Sequence, residues 1–140
     1  MANMVVKNTY GAPQKQILIA DGTAVTLGAQ IGNAGVSAGD DGRKIVKAGT
    51  PLYGDLLERD TAFVVATQTE AAGDDPASNN ANAVLLHDVD VTAGDANGTI
   101  ISTGHIDLLK LDEDVQDLVT DEAIASLKAE GIKFIKGSEM

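Results

Sequence analysis

The stretch Ala83–Gly104, AVLLHDVDVTAGDANGTIISTG, constrains this chain more than any other. A short apolar run at Ala83–Leu86 gives way to a connection rich in Asp and Gly, and a β-branched run follows at Thr99–Ser102 before Gly104. Apolar runs of this length bounded by turn residues read as strands. The segment therefore predicts two strands and a tight connection. It contains no grouping of nucleophile, base and ligand that chemistry requires, and it points to a structural task.

With 140 residues, the chain has room for one domain with a real core. It is 44% hydrophobic but only 3% aromatic, so that core must be aliphatic. Scarce aromatics leave no stacking platform for single-stranded nucleic acid, and a net charge of −11 disfavours a phosphate backbone as partner. The absence of cysteine removes disulfides, thiolate catalysis and cysteine-bound metal. No secretory signal and no apolar run near the ~20 residues of a membrane span is visible. The expectation is a soluble protein, made in a cytoplasm-like compartment, with neither a nucleic-acid nor a membrane partner. Charge is uneven: residues 1–48 hold five basic and three acidic side chains, residues 49–140 five and eighteen. A basic front on an acidic body suits docking to an acidic surface, although scattered solvated side chains account for the same numbers.

Residues 1–15 hold few apolar anchors and contain the turn former Gly11-Ala12-Pro13, so they read as an arm preceding a single domain over residues 16–140. Strands are expected at Gln16–Ala20, Thr23–Leu27, Arg43–Val46 and Thr61–Thr67, with Gly28–Gly42 as loop. Glu70–Asn82 reads as a polar surface loop. Asp112–Val119 suggests a helical turn. Thr120 is a natural N-cap with Asp121 and Glu122 in the first turn, Ala123, Ile124 and Leu127 on one face and Gly131 at C′. Ile132–Lys136 alternates as a terminal strand. The fold class is mainly β, a small barrel-like or sandwich-like domain with one or two short C-terminal helices in an α+β part.

Each candidate for chemistry has a plainer reading. Asp88, Asp90 and Asp95 invite a calcium loop, but counting from Asp88 puts Ala93 at the sixth position and Thr99 at the twelfth, where Gly and Glu are required. Turn-capping carboxylates explain them better. His87 and His105 flank the two strands and could lie close together, yet two histidines without a third ligand make a weak zinc site. Gly39–Lys44 (GDDGRK) has two residues between its glycines where a phosphate loop needs four. No G-x-S-x-G pattern is present. The amphipathic face over Thr120–Glu130 suits packing on the chain's own sheet better than a partner. No catalytic residue, metal or cofactor is assigned, and the chain is not expected to be an enzyme.

The order of these pieces resembles the head-decoration proteins of tailed bacteriophages, the lambda-type capsid-stabilising family and its relatives described as head fibre proteins. The likeness runs over roughly Val46 to Lys136. Its parts are "AGTPL" at Ala48–Leu52, a variable polar loop, "AVLLHDVDVTAG" at Ala83–Gly94, "TIISTGHIDLLKL" at Thr99–Leu111 and "EGIKFIK" at Glu130–Lys136. The Arg43–Leu52 stretch that follows "GVSAGDDG" at Gly35–Gly42 is similar to prophage-encoded relatives. The resemblance implies a trimer on the outer face of an expanded icosahedral shell, bridging major capsid subunits, and an N-terminal arm that adds to capsid strands. The expected partners are thus the major capsid protein and further copies of the chain, and the expected location is the virion exterior. Within the arm, Val5, Val6, Lys7, Tyr10 and Lys15 are the expected capsid contacts. The rival class is a surface-exposed adhesive or glycan-binding β-module of a phage head, which would need exposed aromatics. A small β-rich enzyme is a more distant rival.

Overall fold

A computed structural model of the chain describes residues 17–19, 24–34 and 36–136. The expected arm and its five contact residues lie outside these, as do residues 16, 20 and 23 of the strands expected at Gln16–Ala20 and Thr23–Leu27. The described chain is mainly β with two short helices near its end, as its composition and patterning predict.

Among the described residues eleven strands are formed: β1 Leu18–Ile19, β2 Val25–Ile31, β3 Ile45–Val46, β4 Pro51–Tyr53, β5 Val64–Val65, β6 Gln68–Thr69, β7 Ser78–Asn79, β8 Ala83–Leu85, β9 Val89–Asp90, β10 Ala96–Asp107 and β11 Ile132–Ile135. A 3₁₀ turn at Leu108–Lys110 leads to α1 (Glu113–Gln116) and α2 (Asp121–Ala129). The long strand β10 organises the rest. Its first half pairs antiparallel with β2 and β8, and its second half pairs antiparallel with β1 and parallel with β11. A register shift between Ile101 and Thr103 separates the two halves. Bulges of this kind bend a strand and re-aim it, which lets one strand serve two sets of neighbours.

The strand path runs β10–β8–β4–β5, and β2 sits on the other side of β10. Phe63, immediately before β5, bridges Ile31 at the end of β2. Its N–H donates to Gln30 O at 2.8 Å and its O accepts from Gly32 N–H at 2.7 Å. The ring thereby closes as a small barrel. Ala29, Ile31, Leu52, Phe63, Ala83, Leu85 and Ile100 are buried in its core.

A second core lies on the outer side of the same wall. Val84, Ile101 and Ile106 there meet Val115, Leu127 and Ile132 from the C-terminal segment. Successive strand residues face opposite ways, so Ala83 and Leu85 enter the barrel while Val84 enters the outer layer. A sheet covered on both faces needs apolar residues at consecutive positions, which is why "AVL" and "II" run unbroken.

Several sequence expectations need correction. Gly28–Gly42 is not loop throughout, because β2 continues to Ile31 with Ala29 and Ile31 buried. The alternation persisted there, carried by a small Ala that reads as loop composition. The Thr99–Ser102 run is the middle of β10, which passes through Gly98 and Gly104. A Cβ at Gly98 would sit 2.7 Å from Ile31 and 2.8 Å from Val89, so close packing, not a turn, accounts for that glycine. The connection between β8 and β10 is also less simple than a tight turn, since it holds β9, paired with β3. Thr61–Thr67 contains only β5 as strand, flanked by the Phe63 bridge to Ile31 and by an Ala66 N–H bond to Pro51 O at 3.0 Å that continues the pairing with β4. Glu70–Asn82 contains β7, paired with β6, and the fully buried Ala81, so its polarity hides a structural hairpin.

Candidate functional site

The acidic turn after β8 is built by capping. Asp88 Oδ1 accepts from Ala48 N–H at 2.7 Å, tying the turn to the segment before β4. Asp90 accepts from Thr92 N–H at 2.9 Å and from the Thr92 hydroxyl. That hydroxyl in turn accepts from Lys44 N–H at 2.7 Å. Asp95 Oδ1 accepts weakly from Asn33 N–H at 3.4 Å. The Thr92 bonds, and the Arg43 guanidinium 3.4 Å away, hold the Asp90 carboxyl below its ordinary value of 3.8. The three aspartates thus serve separate backbone segments, and among the described residues no three His, Cys, Asp or Glu converge as metal ligands.

The two histidines do not meet. Leu86 N–H bonds Thr99 O, which puts His87 beside the first half of β10, whereas His105 pairs with Ile19 in the second half. At the usual strand rise the two lie on the order of 20 Å apart along the sheet. The Gly39–Lys44 segment is a turn, closed by Gly42 N–H to Gly39 O and Gly39 N–H to Arg43 O, both at 2.9 Å. It leads to β3, not to the helix a phosphate loop requires. The apolar face of α2 is used internally, with Ala123 and Leu127 fully buried.

Two surface features escaped the sequence reading. Lys47 Nζ lies 2.9 Å from Asp114 and 3.4 Å from Asp112, clamping the end of β3 to α1. Residues 67 positions apart produce this pair, and nothing in local sequence signals it. Beside it, Val36, Ile45, Val65, Val115 and Leu118 line a hollow of about 190 Å³, room for one aliphatic side chain. The second feature is the segment from Tyr53 to Thr61. It borders an open hollow of about 480 Å³ lined by Tyr53, Leu56, Ala62, Val64 and Asn82, with Leu57 projecting 91% exposed. Consecutive leucines between acidic residues (DLLERD) were the available signal.

Aromatic placement bears on carbohydrate recognition. Phe63 is fully buried and Phe134 half-buried, which leaves Tyr53 as the exposed aromatic ring among the described residues. No helix among the described residues is long and apolar enough to cross a membrane. No protein-family model matches the chain, and no curated protein matches it.

Proposed function

We propose that the chain is a capsid decoration protein of a tailed bacteriophage, docking as a trimer on the outer surface of the expanded head and stabilising it by bridging major capsid subunits. The observation that carries this reading is the order of family-like motifs from Ala48 to Lys136. Those motifs fall on consecutive parts of one framework: the turn into β4, then β8 with its Asp-capped turn and β9, then β10, then the end of α2 with β11. A body whose polar side chains are engaged in capping, with both faces of its central wall packed, suits a scaffold. Many shallow contacts repeated around a symmetric site supply avidity without a strong individual pair.

In this reading residues 1–15 grip the capsid, with Val5, Val6, Lys7, Tyr10 and Lys15 as contacts, by adding a strand to the shell. The test is sedimentation of the purified chain with empty expanded heads of the parent phage. The full chain is expected to co-sediment, and a form lacking residues 1–12 to remain folded but stay in the supernatant. Full occupancy by the shortened form would remove the arm from the interface, and failure of the full chain to bind would remove the function. The scarcity of exposed aromatics disfavours the glycan-binding alternative. Binding to a glycan array without binding to heads would reverse that preference.

A further inference from the structure

The segment after β4 is held at both ends and presents one apolar side chain to solvent. Gly54 N–H donates to Asn82 Oδ1 at 3.2 Å, and Gly54 O accepts from Asn82 Nδ2 at 2.6 Å. Asp55 then forms a turn, its Oδ1 accepting from Leu57 N–H at 2.9 Å and its O from Glu58 N–H at 3.0 Å. At the far end Arg59 O accepts from Gln30 N–H at 3.1 Å, and the Arg59 guanidinium donates to Gly28 O at 2.8 Å. Leu56 packs inward against the barrel core, while its neighbour Leu57 is 91% exposed.

An exposed leucine alone is ordinary. This one differs in three respects. Its backbone is already fixed, so a partner meets it without paying the entropy of ordering a loop. Tyr53, 47% exposed, lines the hollow beside the same turn and adds a second exposed apolar side chain at its start. Finally, Asp55, Glu58 and Asp60 surround the tip, the segment's one basic residue, Arg59, being turned to Gly28. An apolar centre with a charged rim is the usual anatomy of a protein contact, and the rim selects the partner's sign.

We infer that the Asp55–Asp60 turn is a preformed docking knob, with Leu57 as its anchor and Tyr53 as its flank, for a protein surface offering an apolar socket rimmed by Lys or Arg. The inference rests on the decoration reading: the socket belongs to the major capsid protein, and the acidic knob complements the more basic N-terminal segment as a second grip of opposite sign. A second copy of this chain is the poorer occupant, because its body over residues 49–140 carries eighteen acidic and five basic side chains and offers little Lys or Arg to rim a socket.

The experiment compares the wild-type chain, Leu57→Ser and the double variant Glu58→Lys with Asp60→Lys for binding to empty expanded heads at low and high salt. Thermal unfolding and sedimentation velocity of each free protein accompany it. Leu57→Ser is expected to weaken binding at least tenfold at both salt concentrations, with the unfolding midpoint unchanged. The charge reversal is expected to weaken binding at low salt and to converge on wild type at high salt. Wild-type binding with unaltered binding by Leu57→Ser overturns the knob and leaves the decoration reading standing. No wild-type binding overturns both. Loss of self-association in Leu57→Ser, with unaltered head binding, assigns the knob to a second copy and overturns the inference.

Discussion

Phe63 lies directly against the backbone of Gly54: a Cβ at position 54 would come within 2.5 Å of the ring. The ring is fully buried in the barrel and belongs to the residue that closes it onto Ile31, so it has little freedom to swing aside. Gly54→Ala is therefore expected to lower stability by about 1–3 kcal/mol through overpacking. Urea unfolding of the variant checks this, the expected result being a lower midpoint at unchanged slope. An unshifted midpoint would show that the barrel yields at this point.

The two cores on either side of β10 make a second prediction. Ile100 and Ile101 are adjacent in sequence, yet Ile100 is packed in the barrel and Ile101 in the outer layer. Leu85, by contrast, pairs directly with Ile100 and shares its core. Ile100→Val and Ile101→Val are each expected to cost about 0.5–1.5 kcal/mol. Combined, they should add within about 0.5 kcal/mol, since their side chains pack in different cores. Leu85→Ala with Ile100→Val should depart from additivity by about 0.5 kcal/mol or more, because the two share one cavity. Chemical denaturation of the two cycles decides it. Equal coupling in both would mean that the wall does not separate two cores.

How far the sequence revealed this arrangement depends on the range of the signal. The mainly β character, β8, and the helix from Thr120 to Gly131 were legible because their determinants are local: an apolar run, an N-cap, a left-handed glycine. Gly131 does adopt φ +97, and its N–H bonds Lys128 O at 3.1 Å. The length of β10 was not legible. Gly98 and Gly104 look like turn residues, and only the side chains that crowd Gly98 from β2 and β9 explain why a strand carries a glycine there. The Asp-capped turn was anticipated in kind, but Asp88 bonds a residue 40 positions away, which no local pattern specifies. The same holds for Lys47 with Asp112 and Asp114. The Tyr53–Thr61 segment was passed over because its importance lies in exposure, a property of the fold.

Thr120 illustrates a local signal with a non-local addition. Its hydroxyl oxygen accepts from Ala123 N–H at 3.1 Å as an N-cap, and the hydroxyl also donates to Gln68 Oε1 at 2.8 Å. Gln68 Nε2 donates in turn to Glu122 Oε1 at 2.7 Å, so the helix start is tied to the β6–β7 hairpin. Thr120→Ala is expected to cost about 1–2 kcal/mol, the upper part of the range for a lost cap. Thr120→Ser, which keeps both bonds, should recover most of it. Hydrogen exchange localises the effect: faster exchange in the hairpin as well as in the first turn of α2 is expected for the alanine variant. Faster exchange in the helix alone would show that Gln68 is not coupled to the cap.

The Lys47 clamp gives the chain a stability term with a defined pH window. The hydrogen bond that Lys47 donates to Asp114, outweighing partial burial and joined by the attraction of Asp114 and Asp112, holds the ammonium above its ordinary value of 10.5. A raised basic group stabilises the folded state below its unfolded value, and that stabilisation disappears as pH rises through the folded value. The Lys47 side chain is 39% exposed and the pair is screened by solvent, so Lys47→Met is expected to cost about 0.5 kcal/mol at neutral pH and low salt. The cost should shrink at high salt and vanish above the folded Lys47 value. Asp90 behaves in the opposite sense: its lowered carboxyl stabilises above 3.8, and the benefit is lost as pH falls through the folded value. Thermal unfolding of wild type, Lys47→Met and Asp90→Asn across pH separates the two. The Lys47 difference is expected to hold at neutral pH and close as pH rises through the folded Lys47 value, and the Asp90 difference to persist there and close at the acid end. A Lys47 difference independent of both salt and alkaline pH would assign that side chain's role to packing of its methylene stem over the Val115 and Leu118 hollow.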